Sequence, residues 1–146
     1  MNNEYFAWHK LKIHLNKKDR RVFFRDREIW LTYLGKNIGF EQNGAGEEFL
    51  RPILIIKKIN KDTFLAIPLT KSIKKGKCFF NFQFKKGIMS TAILSQIRML
   101  DARRLRYKVG GINEKTLFLL KRKIKRFLAW SLLPPLGGGH EAIVTP

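Results

Sequence analysis

The run Pro52-Ile53-Leu54-Ile55-Ile56 constrains this chain more than any other stretch. Five consecutive apolar residues leave no polar face, so a strand built from them must be covered on both sides. In a chain with 28% charged residues, such a run marks the middle of a sheet. Asn60-Lys61-Asp62 then turns the chain into a second strand over residues 63–69, giving a hairpin.

The other elements arrange themselves around that hairpin. Phe6, Trp8, Leu11 and Leu15 fall roughly on one face of an N-terminal helix over residues 5–16. A basic connection follows, residues 17–27, and then a strand over 28–34, rich in Ile, Trp, Thr and Tyr. Residues 35–48 hold four glycines and read as a long, mobile loop. Phe80, Phe82 and Phe84 alternate with Asn81 and Gln83, which is a strand with one apolar face. Lys85-Lys86-Gly87 turns the chain, and residues 93–100 return as a strand. Asp101 caps an expected short helix over 102–108, ended by Gly110-Gly111. Asn113 caps a last helix whose stripe is Leu117, Leu120, Ile124 and Leu128.

Five short strands without intervening helices point to a mainly β fold, a small closed or half-closed barrel with a helix at each end. Three segments are expected: a helical extension at 1–27, the barrel domain with its terminal helix at 28–128, and a flexible tail at 129–146 broken by Pro134-Pro135 and Gly137-Gly138-Gly139. Trp8 and Trp30 read as core residues.

Charge narrows the partners. Thirty Lys and Arg against eleven Asp and Glu give a formal charge of +19 over 146 residues. Such an excess is best tolerated when a polyanion neutralises it, which puts nucleic acid first and an anionic membrane surface or an acidic protein behind it. Cys78 is the only cysteine, so no disulfide framework or thiolate metal site exists. The first residues lack the basic and apolar regions of a signal peptide, and no apolar stretch reaches membrane-spanning length. A soluble, cytoplasmic protein is expected.

Several chemistries are disfavoured. Glu47-Glu48 is the only adjacent acidic pair and lies in the glycine-rich loop, a poor mount for a Mg²⁺ site. His9 and His14 stand roughly 140° apart around a helix, which does not suit a two-histidine ribonuclease. Gly35 to Gly46 lacks the Lys-Ser/Thr ending of a nucleotide-binding loop. Arginine, threonine and glutamate at strand ends remain. Cleaving RNA through its own 2′-hydroxyl needs a base, donors for the charged phosphorus and an acid, but no metal. Arginine suits the second task because its planar fork matches phosphate oxygens.

Two blocks carry a resemblance. Gly39-Phe40-Glu41-Gln42 followed by Leu50-Arg51-Pro52-Ile53-Leu54-Ile55-Ile56 forms the first, and Thr91 to Asp101 with Gln96-Ile97-Arg98 forms the second. Together they resemble the signature blocks of the MazF/PemK family, ribonuclease toxins of bacterial toxin–antitoxin pairs, over residues 28–105. The resemblance implies a dimeric SH3-like barrel that cuts single-stranded mRNA at short sequences, with no metal or cofactor, leaving a cyclic phosphate and a 5′-hydroxyl. It implies a catalytic arginine at Arg51 and a catalytic threonine at Thr70. Glu41 and Gln42 match the loop residues, Arg98 matches the Gln-Ile-Arg block, and a small acidic antitoxin is the implied partner. Asn43 to Leu50 lengthen the segment between Gln42 and Arg51 beyond the family's spacing, and the N-terminal helix is a second addition.

The residues alone leave some roles open. Glu41 is a proton-transfer group or a loop brace, and Arg98 touches RNA or pairs with Asp101. The longer loop closes over RNA, or holds Glu47-Glu48 against Arg51. Lys71, Ser72, Lys74 and Lys75 in the basic loop, with the helix face Lys121 to Arg126, are expected to contact phosphates. Two rivals share these features: a basic RNA- or DNA-binding barrel without catalysis, and an inactive homologue that binds an acidic antitoxin.

Overall fold

A computed structural model describes residues 3–19 and 22–129; of the tail expected at 129–146, Ala129 ends the last helix and residues 130–146, with His140, lie outside the described residues. Helix α1 spans Asn3–Asn16. Strands β1 (Glu28–Tyr33), β2 (Leu50–Lys58), β3 (Thr63–Thr70), β4 (Phe79–Lys85), β5 (Ile88–Ile93), β6 (Arg98–Asp101) and β7 (Leu105–Gly111) precede helix α2, Glu114–Ala129. Single 3₁₀ turns, Leu94–Gln96 and Ala102–Arg104, flank β6.

The seven strands form one antiparallel sheet in the order β4-β5-β3-β2-β1-β7, with β6 on β3. Strand β3 makes the architecture. One edge pairs with β2, while the other pairs first with β6 (Thr63–Ala66) and then with β5 (Leu69 and Thr70). Pro68, which has no amide hydrogen, falls in the gap between those two ladders. The sheet thus folds back on itself but does not close. Strands β4 and β7 approach with the Phe84 ring over Gly110, where a Cβ would come within 2.4 Å of the ring, and no ladder joins them among the described residues.

The apolar run of β2 is covered on both faces. Leu54 and Ile56 enter a cluster with Ile67, Leu69, Phe82 and the α2 residues Leu117, Leu120 and Ile124. Ile53 and Ile55 enter a second one with Phe24, Trp30, Phe64 and Leu100. Asn60 Oδ1 makes the hairpin turn by accepting the N–H groups of Asp62 and Thr63 and the Thr63 hydroxyl.

Four expectations need correction. Residues 105–111 are a strand, because pairing with β1 overrides the helix-forming residues there; Asp101 caps only the 3₁₀ turn, through its bond from the Arg103 N–H. The chain returns from Gly87 directly into β5, and a 3₁₀ turn separates β5 from β6, so seven strands stand in place of five. Leu128 is exposed and Phe127 packs against the core in its stead. On α1 the buried stripe is Trp8, Leu11 and Leu15, with Phe6 exposed.

Two carboxylates tie the sheet to its connections. Burial acts to raise the pKa of Glu28, but bonds from Lys108, the Trp30 indole and the Arg25 N–H outweigh it and hold it below the ordinary value. The Arg103 guanidinium holds Asp101 down more directly. Depressed carboxylates contribute stability above their unfolded pKa of about 4 and lose it as pH falls through the folded value. The melting temperature is therefore expected to drop between about pH 5 and pH 3, and a Glu28→Gln variant should show a flatter profile in a thermal melt series. Equal slopes in the two proteins would remove Glu28 from the account.

Candidate phosphate-binding site

At one end of the sheet, a cleft of about 380 Å³ is lined by Leu34, Asn37, Glu41, Gln42, Pro68, Ser95, Gln96, Ile97 and Arg98. It lies between the loop joining β1 to β2 and the 3₁₀ turn before β6. The folding thus brings Glu41, Gln42 and Arg98, more than fifty residues apart, into one wall. Gln96 bridges the two sides: its Oε1 accepts the Gln42 N–H at 3.3 Å and its Nε2 donates to the Phe40 carbonyl at 3.2 Å.

The loop read as mobile is cross-tied. Asn37 donates from Nδ2 to the carbonyls of Gln42 (2.7 Å) and Leu34 (3.2 Å), and its N–H reaches Asn43 Oδ1. The Gly44 N–H donates to the Gly35 carbonyl at 2.8 Å. Glu41 turns one carboxylate oxygen back to the Ile38 N–H at 3.0 Å, which is the brace geometry. The Phe40 ring stands 100% exposed beside the cleft.

Arg51 does not line the cleft but backs onto it. Its Nε donates to the Asn43 carbonyl at 2.6 Å and its Nη1 to the Leu69 carbonyl at 3.1 Å. Arg51 lies opposite Thr32 on β1, and its bond to the Leu69 carbonyl brings it to the residue before Thr70 on β3. Burial lowers its pKa, and among the described residues no carboxylate acts on it. Neither Glu47 nor Glu48 reaches it; both are exposed. Arg98 makes no ion pair among the described residues, since Asp101 pairs with Arg103. Arg104, whose pKa is lowered by burial and then by the charge of Arg98, adds positive potential behind the cleft.

Thr70 ends β3 opposite Thr91. Its Oγ1 accepts the Ser72 N–H at 3.4 Å, and its carbonyl accepts the Ser90 hydroxyl at 3.5 Å. Lys71, Ser72, Lys74 and Lys75 are exposed on the following loop, which Asn81 holds through the Lys74 carbonyl at 2.9 Å. On α2, Lys123 is drawn in to the Phe79 carbonyl while Lys121, Arg122, Lys125 and Arg126 stay exposed. His9 and His14 are exposed on α1. Among the described residues, no three His, Cys, Asp or Glu side chains gather into a metal-binding group, and no helix is long and apolar enough to cross a membrane.

Asn37 and Asn43 are the residues that sequence reading misses. Only their place among the loop glycines hints at them, because the bonds that matter close in three dimensions.

The fold is a small open antiparallel β barrel with a cleft at one end, and among the described residues no carboxylate pairs with Arg51 or Arg98. Residues 25–128 match the family described as PemK-like, MazF-like toxin of type II toxin–antitoxin system, and the chain belongs to that family. Among solved structures, MazF of Deinococcus radiodurans superposes with a TM-score of 0.56 at 19% identity, over 74% of this chain and 99% of that one. The toxin MazF-mt6 of Mycobacterium tuberculosis gives 0.54 at 13% identity, over 70% and 96%. An endoribonuclease in complex with its cognate antitoxin, from a mycobacterial species, gives 0.51 at 16% identity, over 77% and 98%. At these identities the likeness is one of fold. No curated protein matches the sequence.

Proposed function

We propose that this chain is an endoribonuclease toxin that cuts single-stranded RNA by attack of the 2′-hydroxyl, without a metal, and is held in check by an acidic antitoxin. The observation that carries the reading is Arg51. Among the described residues this half-buried guanidinium is held by two carbonyls and by no anion, and a phosphate supplies one. Arg98 offers a second cation from the cleft wall.

In this reading the two arginines take the non-bridging oxygens of the scissile phosphate, and Thr70 donates its hydroxyl to one of them as charge develops. The 2′-oxygen bonds to phosphorus while the bond to the 5′-oxygen breaks and solvent water protonates that leaving oxygen, giving a cyclic phosphate and a 5′-hydroxyl. Among the described residues, Glu41 is the one carboxylate lining the cleft. It braces the loop and is the group available to accept the 2′-hydroxyl proton. The Gln42 backbone N–H, donating to Gln96 Oε1, keeps the cleft wall in place.

The deciding experiment incubates purified protein, freed of bound partners, with a long unstructured RNA in EDTA and analyses the ends. Discrete fragments with 5′-hydroxyl ends are expected. Intact RNA would leave a nucleic-acid-binding barrel or a disabled toxin.

Two binding predictions accompany it. Changing Lys71, Lys74 and Lys75 together to alanine should lower the slope of log affinity against log salt by about 2, with cleavage positions unchanged. Phe40 presents a bare ring on which a base can stack. Phe40→Ala should weaken RNA binding by roughly 1–3 kcal/mol, read by fluorescence titration; unchanged affinity would free that ring of any RNA role.

A further inference from the structure

The helix α1 lies outside the family-matched residues 25–128, yet it sits on the loop that builds the cleft. It buries Trp8 (7% exposed) and Leu15, with Leu11 half-buried, against Tyr33, Phe49 and Leu50. The Trp8 ring lies flush on Gly35: a Cβ there would come within 2.3 Å of it. The same ring meets Phe49 edge-on, with centroids 5.8 Å apart.

Gly35 and Phe49 are the neck of the loop, and the N–H groups of Leu34 and Gly35 both donate to the Phe49 carbonyl. Both neck residues have left-handed backbones, φ +89° at Gly35 and +53° at Phe49. Left-handed geometry at a phenylalanine is strained and persists only where its surroundings hold it. Trp8, with Leu15 and Tyr33, packs around Phe49, and the Leu34 and Gly35 N–H groups hold its carbonyl.

Further contacts run from α1 into the loop. The Tyr5 hydroxyl donates to the Asn37 carbonyl at 3.1 Å, and Lys36 pairs with Glu4 at 2.9 Å. Beneath the helix, the Arg104 guanidinium lies 5.6 Å from the Trp8 ring and donates to the carbonyls of Tyr33 and Leu34. Asn37 holds Gln42 and Asn43, and the Asn43 carbonyl holds Arg51. An unbroken series of contacts therefore leads from α1 to the proposed phosphate-binding arginine.

We propose that α1 is a clamp on the cleft loop, with Trp8 and Tyr5 as positioning residues that set Arg51 without touching RNA. Its catalytic consequence rests on the ribonuclease reading above; its structural content does not.

The test uses the full chain and three variants, Trp8→Ala, Trp8→Phe and Tyr5→Phe, each followed by amide hydrogen exchange and by cleavage kinetics. Trp8→Ala should speed exchange across residues 36–48 by about tenfold or more while the core of β2 and β3 keeps its protection. Trp8→Phe should recover part of the effect. Tyr5→Phe, which loses only the hydroxyl, should show a weaker form of the same pattern. In cleavage, kcat should fall with loop protection while KM changes little. Equal loss of protection throughout the barrel would make α1 a general stabiliser and overturn the clamp, as would an unaltered loop. Should the unmodified protein leave RNA intact, the ribonuclease reading fails and the exchange contrast still decides the clamp.

Discussion

Arg51→Ala is expected to lower the rate of RNA cleavage by about 10²–10³-fold, the usual cost of removing one preorganised donor to a developing oxyanion. A small loss of stability should accompany it, because the side chain ties Asn43 to Leu69. Two partly exposed bonds of roughly 1 kcal/mol each correspond to a fall of a few degrees in Tm. Arg51→Lys separates the two contributions. An ammonium keeps the charge but lacks the fork that reaches both carbonyls and a phosphate at once. It should restore little activity while binding RNA nearly as well as the parent at low salt. Single-turnover cleavage with saturating enzyme is the measurement. Cleavage by Arg51→Ala within threefold of the parent would reduce Arg51 to a loop tie.

The largest loss of stability is expected at Phe64. It is fully buried, pairs with Lys58 on β2 and Leu100 on β6, and its ring lies 5.0 Å from that of Phe24. It therefore stands where three strands and the connection before β1 converge. Truncation to alanine should cost about 3–5 kcal/mol, a fall of about 10 °C in Tm for a chain of this length. Phe118 on α2 is the control: its side chain is 61% exposed, and Phe118→Ala should change stability by less than about 0.5 kcal/mol. Calorimetry of the two variants beside the parent decides, and similar losses in both would mean the core is wrongly placed.

Legibility in the sequence followed the range of the interactions. The β2–β3 hairpin was readable because an apolar run and an Asn-Lys-Asp turn are local signals, and so was Asn113, whose Oδ1 accepts the Thr116 N–H at 2.8 Å. Residues 105–111 misled because Leu-Arg-Tyr-Lys is compatible with helix; only β1, more than seventy residues earlier, turns it into a strand. The break between β5 and β6 was equally hidden, since β3 imposes it by changing partners at Pro68. In the site, the resemblance pointed to Glu41, Gln42 and Arg98, which share one cleft, to Arg51, which ties into its loop, and to Thr70 at the end of β3. It said nothing of Asn37, or of the helix resting on the loop, because neither belongs to the matched blocks.

The unclosed seam between β4 and β7 has a colloidal consequence. Two strand edges without partners are templates for pairing with another copy, and β4 carries a row of phenylalanines. Lys85 and Lys86 at the end of β4, and Arg106 on β7, put positive charge at both edges, while Lys108 is paired with Glu28. Two such edges meeting must overcome that repulsion, which is a common way natural sheets avoid sticking to one another. The protection is electrostatic and weakens as salt shortens the screening length to a few ångströms. Purified protein should accordingly be most dispersed in dilute buffer and turn turbid in concentrated salt, the opposite of a chain guarded by geometry alone.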